Sequence, residues 1–236
     1  MTVATGPGAE TVVPLAGLKA MVADRMMKSL HGSAQLTHHA ECGMDALLSV
    51  KQRMTDKAMK VSVEDLLIHA VVRTLERHPA LNGTVVEDQI RLRSTVDLSI
   101  AMSMPGGSLI APAIFDAGRL PLLERAQQRK LLAERAHAQK LTVREMTGGS
   151  FTVSNLGLSR VRFFTPILNP PQIAILGIGE TRCVPVVMDN GTIVSKPSVG
   201  LSLTFDHRAV NGAPAAAFLS ELCRNIEAMS DSWLLD

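Results

Sequence analysis

Thr204-Phe205-Asp206-His207-Arg208-Ala209-Val210-Asn211-Gly212 separates an apolar stretch, Val199 to Phe205, from an Ala-rich helical pattern running from about Ala213 to Met229. Three ionisable groups, Asp206, His207 and Arg208, therefore stand side by side where a strand ends. A histidine held there in one tautomer, by a hydrogen bond from one ring nitrogen, keeps the other nitrogen free to take a proton near neutral pH. The same residues also fit an ordinary surface turn, because reactive groups are enriched at such places only statistically.

Outward from that turn the period of the sequence is mostly two. Ser150 to Ser154, Ile173 to Gly179, Cys183 to Met188 and Thr192 to Val194 read as strands, with Asp189-Asn190-Gly191 as a hairpin turn. Further upstream, Ile90 and Leu92 alternate with Arg91 and Arg93, and Val96, Leu98 and Ile100 with polar neighbours; Pro105-Gly106-Gly107 makes a turn before the apolar run Leu109 to Ile114. Helical spacing dominates elsewhere: Leu18, Met21, Val22, Met26 and Leu30; Met44 to Met54; Ser62 to Pro79, opened by a capping box of Ser62 and Asp65; and about Leu120 to Gln139, with Thr142 and Glu145 forming a further cap. Strands and helices do not alternate strictly, and Gly177-Ile178-Gly179 lacks a third glycine and a following helix, which argues against a doubly wound dinucleotide sheet. The economical reading is one mixed α/β domain over residues 15–236, a mixed sheet flanked by helices, preceded by a flexible linker or arm over 1–14 that carries Gly6-Pro7-Gly8.

Composition narrows the function. With 24 basic and 22 acidic residues, the net charge of +2 gives no electrostatic footprint for nucleic acid, and an aromatic content of 3% leaves few stacking platforms. The hydrophobic share, 46%, favours buried subunit interfaces. Cys42, Cys183 and Cys223 are far apart and form no C-x-x-C pair, which argues against a disulfide framework or zinc site and for a reducing, cytoplasmic setting. No apolar stretch approaches the roughly 20 residues of a membrane span.

Asp206-His207-Arg208-Ala209-Val210-Asn211-Gly212 resembles the D-H-R-x-x-[DN]-G signature of the catalytic domain of 2-oxo-acid dehydrogenase complex acyltransferases, the dihydrolipoamide acyltransferases. Thr147-Gly148-Gly149-Ser150-Phe151-Thr152-Val153-Ser154-Asn155-Leu156-Gly157 is similar to that family's T-G-G-T-F-T-I-S-N-L-G, and Phe164-Thr165-Pro166-Ile167-Leu168-Asn169-Pro170-Pro171 to its F-T-P-I-I-N-P-P. Leu18 to Met26 follows the opening helix ending in A-x-R-M, and Pro105 to Pro112 the P-x-G-L-x-x-P turn with one extra residue. The resemblance runs from about Leu15 to the C-terminus. It implies a trimeric fold of the chloramphenicol acetyltransferase type with each active site between two subunits. Coenzyme A and a lipoyl-lysine arm would enter a tunnel from opposite ends, the arm coming from a lipoyl domain outside this chain. The remaining implied partners are the dehydrogenase and dihydrolipoamide dehydrogenase components of a complex such as pyruvate dehydrogenase.

Both substrates are thiols with a pKa of about 8.5, mostly protonated at neutral pH, so a base must act. The resemblance gives that role to His207, and gives Ser154, from the neighbouring subunit, the role of hydroxyl donor to the oxyanion of the tetrahedral intermediate. Asn211 stands where many members have Asp. An amide still hydrogen-bonds and holds the loop after His207, but cannot make the charged pair with an arginine, for which Arg25 is the candidate. Asn211 leans towards acetyl as the acyl group, with branched-chain acyl open. Asp206 and Arg208 are expected to brace the loop, and Gly212 to permit close packing where the last helix begins.

Other residues have plainer readings. Ser154 as a nucleophile lacks the G-x-S-x-G elbow of hydrolases. His38-His39 has no carboxylate or cysteine at ligand spacing, so strand or interface polar groups are expected rather than a metal. Arg125, Arg129, Lys130 and Arg135 read as the wet face of a helix. The apolar Trp233, Leu234 and Leu235 suggest a docking tail; in the family a similar terminus knits trimers into cubic or dodecahedral cages of twenty-four or sixty copies. Two other functions stay open: an inactive structural core, and an acyltransferase of the same fold acting on a small non-lipoyl acceptor. The absence of room for a lipoyl domain in this length fits either a trimmed chain or a naturally short form.

Overall fold

In the computed structural model, residues 12–104 and 109–234 are described. The expected Pro105-Gly106-Gly107 turn, most of the arm over 1–14, and the side chains of Trp233 to Asp236 lie outside the described residues.

Among the described residues, six α-helices and ten strands follow one another as α1 (Leu18–Gly32), β1 (Gln35–Gly43), α2 (Asp45–Asp56), α3 (Val63–Arg77), β2 (Gly83–Val86), β3 (Gln89–Leu92), β4 (Leu98–Ile100), β5 (Met102–Ser103), β6 (Leu109–Ile110), β7 (Ala113–Ile114), α4 (Leu122–His137), α5 (Val143–Thr147), β8 (Phe151–Asn155), β9 (Ala174–Val187), β10 (Ile193–Asp206) and α6 (Gly212–Glu227). A single six-stranded sheet, in the order β1-β10-β9-β8-β4-β7, organises the molecule. Its pairings are antiparallel except β9 with β8 and β8 with β4, so the sheet is mixed, as expected. Two small hairpins, β2-β3 and β5-β6, stand outside it.

The helices obey their apolar periods. Leu47, Val50 and Met54 put one face of α2 into the core. Helix α3 starts at the expected capping box, in which the Ser62 hydroxyl accepts from the Asp65 N–H and the Asp65 carboxylate accepts from the Ser62 N–H. It is buried nearly all round, among α6, α2 and α4, which explains its continuous apolar run Leu66-Leu67-Ile68. The core is completed by Phe151, Phe205 and Phe218, all fully buried.

Three departures from the sequence reading have identifiable causes. The strands at 173–179 and 183–188 are one, β9, and those at 192–194 and 199–205 are one, β10, because the polar Thr181 and Arg182 stay paired with Val199 and Ser198 where the arm leaves the sheet. A shift of register between Val199 and Leu201 bends the pair there. The chain crosses so closely that a Cβ on Gly179 or Gly200 would lie 2.0 or 2.1 Å from the Arg162 carbonyl oxygen.

The second departure corrects the wet face assigned to α4. Arg125 is buried, and its guanidinium donates to the carbonyls of Ala117 and Leu120 and to His69 Nδ1. Burial lowers its pKa to about 10, where it remains charged at neutral pH. Arg129 points into α3, pairing with Glu64 at 2.9 Å and Asp65 at 2.6 Å. Only Lys130 and Arg135 face outward, the latter bound to Glu145. A charged residue's letter does not reveal that acidic and carbonyl partners wait on the neighbouring element.

The third concerns α1 and β3. Met21 and Leu30 of α1 are 70% and 45% exposed, and Ile90 and Leu92 are exposed too, so these apolar periods find no core within the chain. Strand β1, placed in the sequence only through His38-His39, forms one edge of the sheet.

Candidate functional site

Ser154 and His207 sit at opposite ends of the sheet. In register, Ser154 faces Gly177, and Gly177 faces Ser202. Five residues further along β10, at the end where β8 begins, the chain reaches His207. Two strand spacings across and roughly 16 Å along the strand put the residues about 20 Å apart within one chain.

At the Ser154 end, Gly177 decides the geometry. A Cβ there would lie 2.7 Å from the Phe164 ring, so the missing side chain is what lets Phe164 pack beside Ser154. The pair Gly177 and Gly179 thus serves close packing rather than a phosphate. Phe164, Ile110, Ile175 and Met26 surround a cavity of about 330 Å³ into which Ser154 opens. Its hydroxyl has no hydrogen-bond partner among the described residues. Beneath it, Thr152 donates to Gln172, and Gln172 Nε2 donates to Ser99 at 3.3 Å. Arg25 reaches the same cavity from α1, and its Nη2 donates to Asn169 Oδ1 at 2.7 Å. Within one chain the arginine is engaged by the asparagine of Phe164-to-Pro171, which sequence reasoning quoted as a motif without giving Asn169 a role. A larger cleft, about 890 Å³, lies beside the outer part of β9-β10 and is lined by none of the candidate residues; the smaller cavity is the better site because it holds an unpartnered donor.

At the other end, the turn after β10 is fixed and its histidine is not. Asp206 is buried and accepts from the Ala34 N–H at 3.2 Å, the Arg208 N–H at 3.0 Å and the Arg208 guanidinium at 2.6 Å. Burial pushes this carboxyl up, but the donors and charge of Arg208, with the Ala34 N–H, outweigh it and hold it below the usual carboxylate range. The Arg208 guanidinium is correspondingly raised by Asp206. The Asp206 carbonyl also takes the N–H groups of Ala209 and Val210, and the His207 N–H donates to Ala34 at 2.8 Å. The backbone on both sides of His207 is therefore tied down.

His207 itself is exposed, its ring 5.9 Å from that of Phe205 and without a hydrogen-bond partner among the described residues. Asn211 is exposed and is the N-cap of α6, without a side-chain cap bond. A Cβ on Gly212 would lie 3.7 Å from His38, an ordinary contact, so space does not force glycine there. His38 and His39 point to opposite faces of β1. His38 packs edge-on against Phe205, and His39 Nδ1 is 2.9 Å from the Ser202 hydroxyl. Among the described residues no three His, Cys, Asp or Glu side chains gather as a metal group.

The model of 2-oxoacid dehydrogenases acyltransferase (catalytic domain) matches residues 7–234. The dihydrolipoyllysine-residue succinyltransferase component of the 2-oxoglutarate dehydrogenase complex of Haemophilus influenzae is 34% identical over 223 residues, covering 92% of this chain and 54% of the relative. The dihydrolipoyllysine-residue acetyltransferase component of the acetoin cleaving system of Bacillus subtilis is 36% identical over 220 residues, covering 91% and 55%. The chain thus spans about half the length of the curated relatives it matches.

Among solved structures, the dihydrolipoamide acetyltransferase of Azotobacter vinelandii superposes with a TM-score of 0.86 at 29% identity, covering 94% of this chain and 93% of that one; it was studied for the role of a serine, a histidine and an asparagine in its catalytic mechanism. The cubic core of a pyruvate dehydrogenase multienzyme complex gives the same score, identity and coverage. Chloramphenicol acetyltransferase, at a TM-score of 0.55, 15% identity and coverage of 89% and 94%, shares the fold. A mixed sheet flanked by helices, the fold of these structures and a family model matched over nearly the whole chain lead to one assignment: the chain belongs to the family of 2-oxoacid dehydrogenase acyltransferase catalytic domains.

Proposed function

We propose that this chain transfers an acyl group, with acetyl favoured, between S-acyl-dihydrolipoyl-lysine and coenzyme A, in an active site made by two copies of the chain. The observation that carries the reading is the separation of Ser154 and His207. Each has a free polar end and a prepared setting, yet about 20 Å lies between them within one chain.

His207 takes the thiol proton of coenzyme A as the sulfur attacks the thioester carbonyl. The new carbon–sulfur bond leaves an oxyanion, to which Ser154 of the neighbouring copy donates its hydroxyl. One such donor contributes about 3 to 4 kcal/mol to the transition state. Collapse breaks the bond to the dihydrolipoyl sulfur, which recovers the proton from the imidazolium. No acyl-enzyme forms. The spacing of Asn211, four residues after His207, equals that of the asparagine and histidine studied in the Azotobacter vinelandii enzyme. The apolar lining by Ile110, Phe164 and Ile175 suits an uncharged acyl group, since Arg25 is engaged by Asn169.

A homotrimer of residues 15–236, with 1–14 as an arm, supplies the second copy, and the exposed apolar face of α1 gives it a surface to bury. Cubic symmetry contains threefold axes, so the similar cubic core supports trimers as the unit of a larger cage. The lipoyl arm comes from a separate lipoyl domain, and the dehydrogenase and dihydrolipoamide dehydrogenase components are the remaining partners. Among the described residues no helix is long and apolar enough to cross a membrane. Purified protein given acetyl-CoA and dihydrolipoamide is expected to form acetyl-dihydrolipoamide, and to lose that activity in His207→Ala; no product from the unaltered protein rejects the reading.

A further inference from the structure

We propose that Glu64, held by Arg129, is a positioning residue for Ser154 and acts through Asn155; this rests on the acyl-transfer reading above. Side chains alternate across a strand, so at the end of β8 Ser154 opens into the cavity while Asn155 turns to the other face. Both polar ends of Asn155 are engaged. Its Nδ2 donates to Glu64 Oε1 at 3.0 Å, and its Oδ1 accepts from the Gly157 N–H at 2.8 Å. The first of these bonds leaves the sheet and reaches the first turn of α3. The next residue, Leu156, donates its N–H to Ile178 at 2.8 Å, so the backbone beyond Ser154 is anchored to β9 as well.

Glu64 is itself fixed. Its second oxygen meets Arg129 Nη1 at 2.9 Å, while Arg129 Nε meets Asp65 Oδ1 at 2.6 Å. Asp65 is almost wholly buried and is tied again by the capping box with Ser62. One guanidinium on α4 thus spans two successive carboxylates of α3. A glutamate with three rotatable bonds would otherwise sample many orientations, and only one of them accepts from Asn155. The chain Asp65, Arg129, Glu64, Asn155 joins three elements and ends one peptide bond from Ser154.

A hydroxyl that stabilises an oxyanion works only within a narrow distance of where the oxygen develops, and a misplacement of about 1 Å costs up to about 100-fold. Glu64→Ala is expected to lower kcat about tenfold, with KM for coenzyme A and for dihydrolipoamide changed less than about twofold. Glu64→Gln, whose amide oxygen can still accept from Asn155 but whose NH2 would face Arg129, is expected to recover only part of that loss. In a Ser154→Ala background, Glu64→Ala is expected to lower kcat by less than about a further twofold, because nothing is left to position. Asn155→Ala removes the same hydrogen bond while leaving the Arg129 ion pairs intact, and is expected to show the same non-additivity, so it carries the test if Glu64→Ala fails to fold. Unchanged kcat, or an equal factor lost in both backgrounds, overturns the proposal while acyl transfer stands. An unaltered protein with no turnover overturns both.

Discussion

The two ends of the sheet prepare a reactive side chain in opposite ways. At the end of β8, Ser154 is set into a cavity that Gly177 opens for Phe164, and polar partners are kept away from its hydroxyl. At the end of β10, His207 stands in the open while its backbone neighbours are bound on every side, by Ala34, by Arg208 and by the carbonyl of Asp206. One end offers a sheltered hydroxyl, and the other an exposed imidazole. Under the proposed acyl transfer neither end is a complete site by itself: a hydroxyl donor needs a shielded setting to be effective, and a proton-exchanging imidazole needs a fixed position more than it needs burial.

This comparison is broken first at its two reactive groups. His207→Ala is expected to lower kcat between about 100- and 10,000-fold in the coenzyme A assay, the contribution of a positioned base. Ser154→Ala follows with about 100- to 1,000-fold, and with KM nearly unchanged if the hydroxyl acts only in the transition state. A His207→Ala loss below tenfold would show that the open end does not carry the base.

The bracing at the β10 end is next. Asp206→Ala removes the acceptor for Arg208 and the Ala34 N–H, and is expected to cost about 1 to 3 kcal/mol in urea unfolding, the scale of leaving a buried donor without its acceptor. Its pH dependence sharpens the contrast. The folded-state pKa of Asp206 lies below its unfolded value of about 3.9, so the folded state binds fewer protons there. Its stabilisation is fully present above the unfolded pKa and is lost as pH falls through the folded one. The difference in melting temperature between the unaltered protein and Asp206→Asn is expected to be constant from neutral pH to about 5 and to shrink below about 4. Arg208→Gln has the smallest effect, under about 1 kcal/mol, because half of that side chain is in water and its pairing is screened.

The sequence was readable where periodicity and local chemistry coincide. The capping boxes at Ser62 and Thr142, the helical stripe of α2 and the strand before Asp206 all follow from residues within four positions of one another. The turn around His207 was legible for the same reason: Asp206 and Arg208 meet two residues apart. What failed depends on contacts distant in sequence. Arg125 and Arg129 look like a solvated face until the carbonyls of Ala117 and Leu120 and the carboxylates on α3 are seen beside them. The bond from Arg25 to Asn169, far along the chain, likewise has no local mark in the sequence. Glu64 carries no signal in the sequence, since its importance comes only from meeting Asn155 in space. The exposed apolar residues of α1 illustrate the remaining gap: their helical period is plain, but not whether they cover this chain or another.

Co-expression of His207→Ala and Ser154→Ala tests most directly whether the two ends meet across copies. In randomly mixed trimers each interface has about one chance in four of joining an intact histidine to an intact serine. The account predicts that the mixture regains about a quarter of the unaltered activity, although each variant alone is nearly inert. A mixture no more active than either variant by itself, with mixed trimers verified by mass, would contradict it.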